Sequence, residues 1–517
     1  MAGVRLYNLY VLTVLGLGGF TYGFGFSVFV TAVGQPGFYS YFKLDPASTY
    51  AANIIGAVNA LFTAGAAFGS LAQPPIADRY GRRMALATAS LCSLIGGALA
   101  AGSVHIAMLI VVRITQGFGL GMLLALVPLY LSEIAAPRQR GLVTGVTVLS
   151  FGTGFSVCAW IAVGTYYANQ TVQWRVPLAL ACASPLLMLI ALLTIPETPR
   201  YLIWNGRKEQ AWSVLRRLHH DPNDPEARAA NAEFTQIVLQ VEHDKENGGG
   251  FVQLFKKPTL RKRALLVIFA TYVLRESYPW LCTVRISKPQ LYSIYGPKPT
   301  CLAGVWTTIG TLGVALAISI VDRVGRRIML VVGYPLMAVL LLSESLLQNR
   351  YLGSNDRGGL AACLLFLLMF IVTYQCVDAP TIIWIAEIWP IAYRAKGISL
   401  GLCSYFVASL TYTTPSALAF KNIGWHMYLL YMGLCVICFV IVYFFIQETK
   451  DLPMEELAAL FGDEVVVHIT KDGKAITEDK ELDNIVKSQL EQVHAEDLKT
   501  KRTAVADETG ARHIESA

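Results

Sequence analysis

The chain has 517 residues, of which 54% are hydrophobic and only 15% are charged, and its mean hydropathy is +0.49. A soluble domain carries about 25% charged residues, because its surface must be solvated. The composition therefore argues against a soluble enzyme and against a nucleic-acid-binding protein. The net charge of +7 matters less than where the charges lie along the chain.

Long intervals without Asp, Glu, Lys or Arg account for the shortage of charge. A membrane-spanning helix needs about 20 mostly apolar residues. Eleven charge-free intervals predict such helices, at 6–42, 46–77, 84–112, 114–132, 142–174, 176–196, 299–321, 328–343, 358–377, 397–420 and 422–447. The interval 328–343 reaches the required length if Glu344 lies at the membrane interface, and 264–284 is a weaker twelfth candidate. The sequence therefore predicts an all-α membrane protein with twelve spans.

Basic residues cluster in alternate loops, which indicates the orientation in the membrane. The clusters lie at 79–83, 138–140, 323–327 and 394–396, and near both ends of 197–263. Since cytoplasmic loops carry the excess of Lys and Arg, both termini are predicted to be cytoplasmic. The loop after the fifth span is then outside, and Asn169 in the triplet Asn-Gln-Thr is a glycosylation candidate there.

The second half of the chain repeats features of the first in the same order. Three pairs of motifs correspond: DRYGRR at 78–83 with DRVGRR at 322–327, the seven-residue spacing of Glu133 and Arg140 with that of Glu387 and Arg394, and Glu197-Thr198 with Glu448-Thr449. Such a repeat predicts two homologous six-helix bundles with a substrate site between them. The predicted parts are a first bundle at 1–196, a cytoplasmic linker with short helices at 197–263, a second bundle at 264–447 and a largely disordered cytoplasmic tail at 448–517.

Further motifs connect this pattern with a known family. They are Arg113 with Gly117, Gly119 and Gly121, VPLYLSE at 127–133, PETPR at 196–200 and EIWP at 387–390. With the two repeated DRxGRR segments, they make the chain resemble the sugar porter family of the major facilitator superfamily, especially its fungal members. The resemblance implies the major facilitator fold and transport of a monosaccharide or related polyol.

The charged motifs at the inner helix ends are candidates for a cytoplasmic gate. The set comprises Asp78, Arg82, Arg83, Glu133, Arg140, Glu197, Asp322, Arg326, Arg327, Glu387, Arg394 and Glu448. Asp78 and Asp322 are expected to cap the helix that follows each of them, where the helix dipole favours an anion. Since exposed ion pairs contribute under about 1 kcal/mol each, several would act together to hold the inner ends shut in an outward-open state. The alternative is that these residues only set the topology as solvated charge.

Arg113 lies in the predicted fourth helix at membrane depth, and Asp378 is an acid deep in an apolar run. In proton-coupled sugar porters the partner of such an arginine is an acid in the first helix, and the resemblance places that position at Gly25. The first span contains no acid, which favours a facilitator over a proton symporter. In the alternative interpretation Arg113 reaches the interface or bonds to backbone carbonyls. Asp378 precedes Pro380, where a break in the tenth helix is expected, so it could carry a proton, bind substrate hydroxyls or cap the restarted helix.

Sugar hydroxyls need amides, hydroxyls or carboxylates as partners, and aromatic rings pack on the C–H face of the sugar. The resemblance implies amides in the fifth and seventh helices, but these positions read Val148 and, by one count, Arg275-Glu276. A second count reads Val284-Arg285, so 275–298 is either an insertion or an error at an exon boundary. The charged pair would bind a more polar substrate or lie at an interface. The candidate substrate-binding residues are Gln375, Trp384, Gln116, Trp306, Arg275 and Glu276.

The sequence thus predicts an alternating-access transporter that acts by facilitated diffusion at the plasma membrane as a monomeric unit. Two alternatives stay open. One is a proton-coupled symporter of a sugar or of a small metabolite such as quinate, and the other is a sensor that does not transport and signals through its tail. The expected partners are a small sugar and the lipid bilayer, with no nucleic acid, and no catalytic constellation, metal or cofactor is expected.

Overall fold

The computed structural model describes residues 6–45, 48–135, 140–218, 250–274, 299–351 and 356–450, together with 230–242 apart from 232, 233, 236 and 240, and 461, 468–469 and 475–476. The predicted pair Arg275-Glu276 and the outer part of the predicted seventh span lie outside the described residues.

The apolar stretches of the first half form helices, because a helix satisfies every backbone hydrogen bond within one segment, as lipid requires. The spanning helices are α1 (Leu6–Val33), α3 (Thr49–Tyr80), α4 (Arg82–Ala101), α5 (Ile106–Ile134), α6 (Arg140–Thr165) and a sixth span built from α7 (Gln170–Leu180) and α8 (Ala183–Ala191). The short helix α2 (Pro36–Phe42) follows α1.

The second half repeats this order of long helices. Its helices are α12 (Pro258–Phe269), continued by a π-helical turn at Ala270–Leu274, then α13 (Pro299–Val324), α14 (Arg326–Tyr351), α15 (Arg357–Glu387), α16 (Arg394–Ile423) and α17 (His426–Phe445). Between the halves lie the short helices α9 (Pro199–Trp204), α10 (Lys208–Leu218) and α11 (Gln253–Lys256). Leu202, Leu215 and Ile237 belong to a small apolar core of this linker.

Ten helices of the described ranges are long and apolar enough to cross a membrane. The helices α12 and α16 occupy the seventh and eleventh positions, which completes the expected twelve. The two halves pack against each other mainly through α6 with α13 and α3 with α16. In the tail, β1 (His468–Ile469) pairs with β2 (Ala475–Ile476) in antiparallel register, with His468 opposite Ile476.

The third and fourth spans meet at 102–105, and Arg113 lies within α5, the fourth span, as the sequence predicts. Glu344 is 2% exposed in α14, which continues to Tyr351, and its Oε1 accepts a hydrogen bond from Gln348 Nε2 at 2.6 Å. One expectation was wrong, because the tenth helix continues through Pro380 and Asp378 therefore caps no restarted helix.

Thr381 shows how α15 tolerates its proline. A proline removes one backbone donor and leaves a carbonyl of the preceding turn without its usual partner. The Thr381 hydroxyl donates to the carbonyl of Val377 at 2.8 Å, beside the missing bond. Such side-chain donors are one of the ways in which membrane helices accommodate proline.

Candidate gate and substrate site

In the first half, the buried guanidinium of Arg82 joins the ends of three helices on the side that the sequence predicts to be cytoplasmic. The helix ends on this side are called the inner ends. Arg82 Nη2 donates to Glu133 Oε1 at 3.1 Å, and its Nη1 lies 3.5 Å from Asp78 Oδ1. Glu197 accepts hydrogen bonds from the backbone N–H groups of Arg82 and Arg83 at 3.0 and 3.1 Å. One arginine therefore ties α3 to α5, while a glutamate beyond the sixth span holds the start of α4.

The second half has the same arrangement. Arg326 Nη2 donates to Glu387 Oε1 at 2.9 Å and lies 3.1 Å from Asp322 Oδ1. Glu448 accepts from the backbone N–H groups of Arg326 and Arg327 at 2.9 and 3.1 Å. The sequence repeat is therefore also a repeat of contacts.

The capping residues differ from those predicted. Glu197 caps α4 and Glu448 caps α14, whereas Asp78 and Asp322 were expected to do so. Each aspartate still belongs to the preceding helix and faces the arginine one turn later. The carboxylate that reaches the N–H groups comes instead from the chain that follows the sixth or twelfth span.

The glycine of each repeated motif makes this cap possible. Gly81 and Gly325 have φ angles of +96° and +100°, in the left-handed region that favours glycine. A Cβ at either position would also overlap the carboxylate of the capping glutamate. The motif therefore needs glycine both for the turn and for the close approach of the acid.

Glu197 lies outside the membrane-spanning segments. Burial raises the pKa of its carboxyl above the ordinary value, although the backbone N–H groups of Thr198, Arg83 and Arg82 favour the charged form. The ionised state that caps α4 therefore depends on these donors.

The two motif aspartates also contact the opposite half. Asp322 Oδ2 accepts a hydrogen bond from the backbone N–H of Leu142 at 2.8 Å, in the first turn of α6. Asp78 Oδ2 lies 3.9 Å from Lys396 Nζ, in the first turn of α16. Each half therefore supplies an acid to the start of a helix in the other half, and a Cβ on Gly141 would overlap the Asp322 carboxylate.

Deeper contacts between the halves are uncharged. Ser399 of α16 donates to Gln73 Oε1 of α3 at 2.8 Å, and both residues are fully buried. Further along α16, the hydroxyl of Tyr405 lies 3.3 Å from that of Tyr22 in α1. The halves thus meet from their inner ends towards the membrane interior.

The other candidate gate residues hold helix ends within their own half. Arg83 donates to the Leu193 carbonyl at 3.3 Å, Arg327 to the Tyr443 carbonyl at 2.7 Å and Arg394 to the Trp389 carbonyl at 3.0 Å. The backbone of Arg140 begins α6, and its side chain lies outside the described part of the chain.

Arg113 is 1% exposed and lies in a cage of aromatic rings and oxygens. Its Cζ lies 4.8 Å from the ring centre of Phe29 and 4.2 Å from that of Phe62. Its Nη1 donates to Gln116 Oε1 at 2.6 Å and to the carbonyl of Gly25 at 3.4 Å. Among the residues that the structure describes, no carboxylate forms an ion pair with Arg113. Cation–π contacts and neutral oxygens offset the cost of its burial instead.

Gly25 therefore faces Arg113, as the sequence count placed it. A Cβ on Gly25 would overlap the side chain of Leu120, which occupies the neighbouring space. The interpretation in which Arg113 bonds to a backbone carbonyl describes the observed contact.

A small cavity of about 20 Å³ with a mainly apolar surface lies within the second half, around Asp378. Its lining comprises Ala270, Thr271, Tyr334, Tyr374, Val377, Asp378, Thr381, Ile382, Ile385, Leu402 and Tyr405. Tyr374 donates to Asp378 Oδ1 at 3.3 Å, one turn along α15. Tyr405 connects the cavity wall to Tyr22 of the first half. The lining contains a carboxyl group, five hydroxyl-bearing side chains and aromatic surface, around a space of about one water-sized group.

Two predicted substrate-binding residues lie away from this cavity. Gln116 is 1% exposed and belongs to the surroundings of Arg113. Trp384 is fully buried towards the inner end of α15, and its indole N–H donates to the Gln447 carbonyl at 3.2 Å. Neither residue shares a wall with Asp378.

Gln375 and Trp306 also lie outside the lining of that cavity. Gln375 packs beside Gly313 of α13, and its Oε1 has no hydrogen-bond partner within the described ranges. Trp306 is 4% exposed in α13. Asn169 is exposed at the start of α7. A role for these residues in binding or glycosylation stays a prediction.

Sequence reasoning missed Tyr22, Tyr334 and Tyr374 around the cavity, and Lys396 and Gln73 between the halves. The local sequence around a tyrosine in an apolar helix does not show whether its side chain faces lipid, the protein core or a cavity. A signal did exist for Tyr374, because it lies one turn before Asp378 and therefore on the same helix face.

Comparisons with known proteins agree with this architecture. Residues 11–461 match the family described as Sugar (and other) transporter. The MFS-type transporter criB of Aspergillus cristatus is 28% identical over 462 residues, which cover 88% of this chain and 93% of that protein. High-affinity glucose transporter 1 of Candida albicans is 25% identical, covering 89% of this chain and 87% of that protein.

The fold agrees with a solved structure at lower sequence identity. The proton:xylose symporter XylE bound to 6-bromo-6-deoxy-D-glucose superimposes with a TM-score of 0.75 at 23% identity, covering 88% of this chain and 98% of that one. This likeness shows the major facilitator fold. With the family match over most of its length, the chain belongs to the Sugar (and other) transporter family.

Proposed function

We propose that the protein carries a monosaccharide or related polyol across the membrane by alternating access. The observation that carries this proposal is the match of residues 11–461 to the Sugar (and other) transporter family, and the small cavity around Asp378 lies between helices of the second half. Tyr405 and Tyr22 connect this cavity with the other half. Membership of a family whose description names sugars, and relatives named as glucose transporters, support the substrate class.

Facilitated diffusion is the proposed mode of transport. The support is the surroundings of Arg113, in which Gly25 contributes a carbonyl oxygen and Phe29 and Phe62 contribute ring faces. Among the residues that the structure describes, the guanidinium of Arg113 is held by neutral groups, and none of its contacts there is an acid that could take up and release a proton in each cycle.

The inner contacts are proposed to act as the cytoplasmic gate. In the described state Asp322 holds the start of α6 and Asp78 lies near the start of α16, so both connections between the halves are made. Opening towards the cytoplasm requires that these contacts break and that the inner ends separate. The protein is proposed to act as a monomeric unit in the plasma membrane with both termini in the cytoplasm.

Uptake of a labelled hexose in cells that lack their own hexose carriers tests the function. We expect saturable uptake that stops when inside and outside concentrations are equal, with no proton entry recorded by an external pH electrode. Cells with the empty vector are the control, and the amount of protein at the surface is measured by an external label. Proton entry with the sugar would refute facilitated diffusion but not sugar transport.

A proton symporter is the second candidate, because Asp378 is a carboxylate in a membrane cavity. In that case uptake would exceed the equilibrium level and the Asp378→Asn variant would lose accumulation while keeping exchange. Correct surface delivery without uptake of any sugar would favour a carrier of another small metabolite or a sensor.

A further inference from the structure

The segment that leads into the seventh span is strongly basic. Residues 250–274 contain no acid, and their cations are Lys256, Lys257, Arg261, Lys262 and Arg263. Arg263 is fully buried, and its Cζ lies 4.5 Å from the ring centre of Phe461. The other four cations are exposed, and within the described residues none of them forms an ion pair with an acid. The range 256–262 therefore concentrates positive charge that the protein itself does not neutralise.

Exposed apolar side chains accompany these cations. Val252 is 65% exposed and Phe255 is 43% exposed, and Phe255 directly precedes Lys256. Lys and Arg next to exposed aromatic and aliphatic side chains are typical of segments that lie in the interface between lipid headgroups and acyl chains. Six residues are called the basic patch from here on: Val252, Phe255, Lys256, Lys257, Arg261 and Lys262.

The faces of α12 show how the basic patch lies relative to the membrane. The buried positions recur at helical spacing, at Leu260, Arg263, Ala264 and Val267. Arg261 and Lys262 are exposed away from this buried face, and so is Leu265, one turn further along. Leu265 is 56% exposed within the predicted span 264–284, so this face meets acyl chains there. Since one turn is about 5 Å long, Arg261 and Lys262 lie at the depth of the headgroups.

A hydrogen bond places the basic patch on the inner side. The hydroxyl of Tyr393 donates to Gln253 Oε1, and Tyr393 directly precedes Arg394, the first residue of α16. The basic patch therefore lies beside the inner ends of α15 and α16. The cytoplasmic leaflet carries the anionic lipids, whose negative surface potential attracts Lys and Arg close to the membrane.

We propose that the basic patch binds anionic phospholipids of the cytoplasmic leaflet, with the four exposed cations around the headgroups and with Val252 and Phe255 inserted between neighbouring lipids. This interaction does not depend on which solute the protein carries. A free phosphate ion would engage the cations alone, whereas a phospholipid engages the cations and the apolar side chains together. The occupant that fits both parts of the surface is therefore a lipid.

Photochemical cross-linking in nanodiscs tests this binding. The full-length protein is placed in phosphatidylcholine nanodiscs that contain a trace of photoactivatable phosphatidylserine or, in parallel, photoactivatable phosphatidylcholine. Mass spectrometry then measures the yield on chymotryptic fragments of 250–274. We expect at least about 5-fold more cross-linking by phosphatidylserine at low ionic strength, and a smaller preference at high salt. An excess of inorganic phosphate at constant ionic strength should not compete.

Two double variants assign the headgroup preference to the cations. Lys256→Gln with Lys257→Gln, and Arg261→Gln with Lys262→Gln, should each reduce phosphatidylserine cross-linking by about 5–30-fold and leave phosphatidylcholine cross-linking unchanged. All four side chains are exposed, so the unfolding temperatures should stay close to that of the wild type.

One control and one further variant complete the set. Arg350→Gln with Arg357→Gln removes two exposed cations at the ends of α14 and α15 that lie opposite the inner ends, and should change neither yield on 250–274. Phe255→Ser should reduce cross-linking by both lipids to a similar extent and keep the preference for phosphatidylserine, because it removes an apolar contact and no charge.

Four outcomes would overturn the inference. Equal yields from phosphatidylserine and phosphatidylcholine in the wild type would show that the headgroup charge is not recognised. A loss in the Arg350 and Arg357 control as large as in the patch variants would show general charge attraction only. Competition by inorganic phosphate would mean a site for a free anion. A carbodiimide cross-link from the patch lysines to carboxyls of 451–517, without lipid cross-linking, would make the chain's own tail the occupant.

Discussion

The inner ends of the two halves are alike, whereas their membrane interiors differ. Arg82 and Arg326 make equivalent bonds to Glu133 and Glu387, with distances that agree within 0.2 Å (3.1 and 2.9 Å). In the interior, the first half buries Arg113 in an aromatic cage, and the second half places the carboxyl group of Asp378 in the lining of a small cavity. Both halves hold their helix ends together in the same way, which accounts for the repeated contacts there. The substrate has no such twofold symmetry, so the membrane interiors of the two halves need not be alike.

The largest effect should come from removing one member of a buried ion pair in either half. Glu133→Gln and Glu387→Gln should each lower the free energy of unfolding by about 3–5 kcal/mol, because the arginine partner stays buried without its counter-charge. Thermal unfolding of the purified protein in detergent measures this. Glu242→Gln removes an exposed acid from its pair with Lys208, 2.9 Å away, and should cost under about 1 kcal/mol. If only one of Glu133→Gln and Glu387→Gln lost more stability than Glu242→Gln, the two buried ion pairs would not be equivalent in the two halves.

The motif glycines should give the next largest effect. Gly81→Ala and Gly325→Ala should each destabilise the protein by about 1–3 kcal/mol through backbone strain, and further by displacing the capping glutamate. Gly206 has a φ of +77° with open space around it, so Gly206→Ala reports the strain alone. Unfolding temperatures of all three variants test the difference. A Gly206 variant as unstable as the other two would show that the displaced cap contributes nothing.

Replacement of Arg113 tests the difference between the membrane interiors of the two halves. Arg113→Lys keeps the charge but loses the planar group that stacks on Phe29 and Phe62, and should cost about 1–2 kcal/mol of stability. Proton flux during hexose uptake should stay absent in this variant, as in the wild type. A proton flux that is present in the wild type and lost in Arg113→Lys would mean that Arg113 takes part in coupling.

The smallest effect should come from the contact between Asp78 and Lys396. Lys396→Gln removes a partly exposed pair at 3.9 Å and should shift the balance between inward- and outward-open states by at most about 5-fold. Distances between spin labels at the inner ends of α3 and α16 report this balance. Lys208→Gln in the linker is the control. An unchanged balance would remove this pair from the proposed gate.

The twelve spans and the repeat could be predicted from the sequence because both follow from where charges are absent or recur. The pairing of Gly25 with Arg113 could also be anticipated, because the resemblance to the sugar porter family matches these two positions. The surroundings of Arg113 could not be predicted in full. A charge is costly in lipid, and the rings of Phe29 and Phe62 and the Gly25 carbonyl offset this cost inside α5.

The cavity residues could not be predicted in the same way. Asp378 stands out as a charge in an apolar run, but nothing local distinguishes Tyr334 from a tyrosine that faces lipid. Trp384 shares α15 with Asp378, yet it is buried against the chain beyond the last helix, where its indole N–H meets the Gln447 carbonyl. Which face of a helix meets a cavity depends on the neighbouring helices, which lie far away in the sequence.

The bond from Leu142 to Asp322 uses a backbone N–H as its donor, which has an evolutionary consequence. Every residue type except proline supplies that donor, so position 142 is free to drift while the contact between the halves is inherited unchanged. Proline is tolerated in the first turn of a helix, so Leu142→Pro would delete this single bond with little harm to α6. Selection on this part of the gate therefore acts almost entirely on Asp322 and on the space that Gly141 leaves for it.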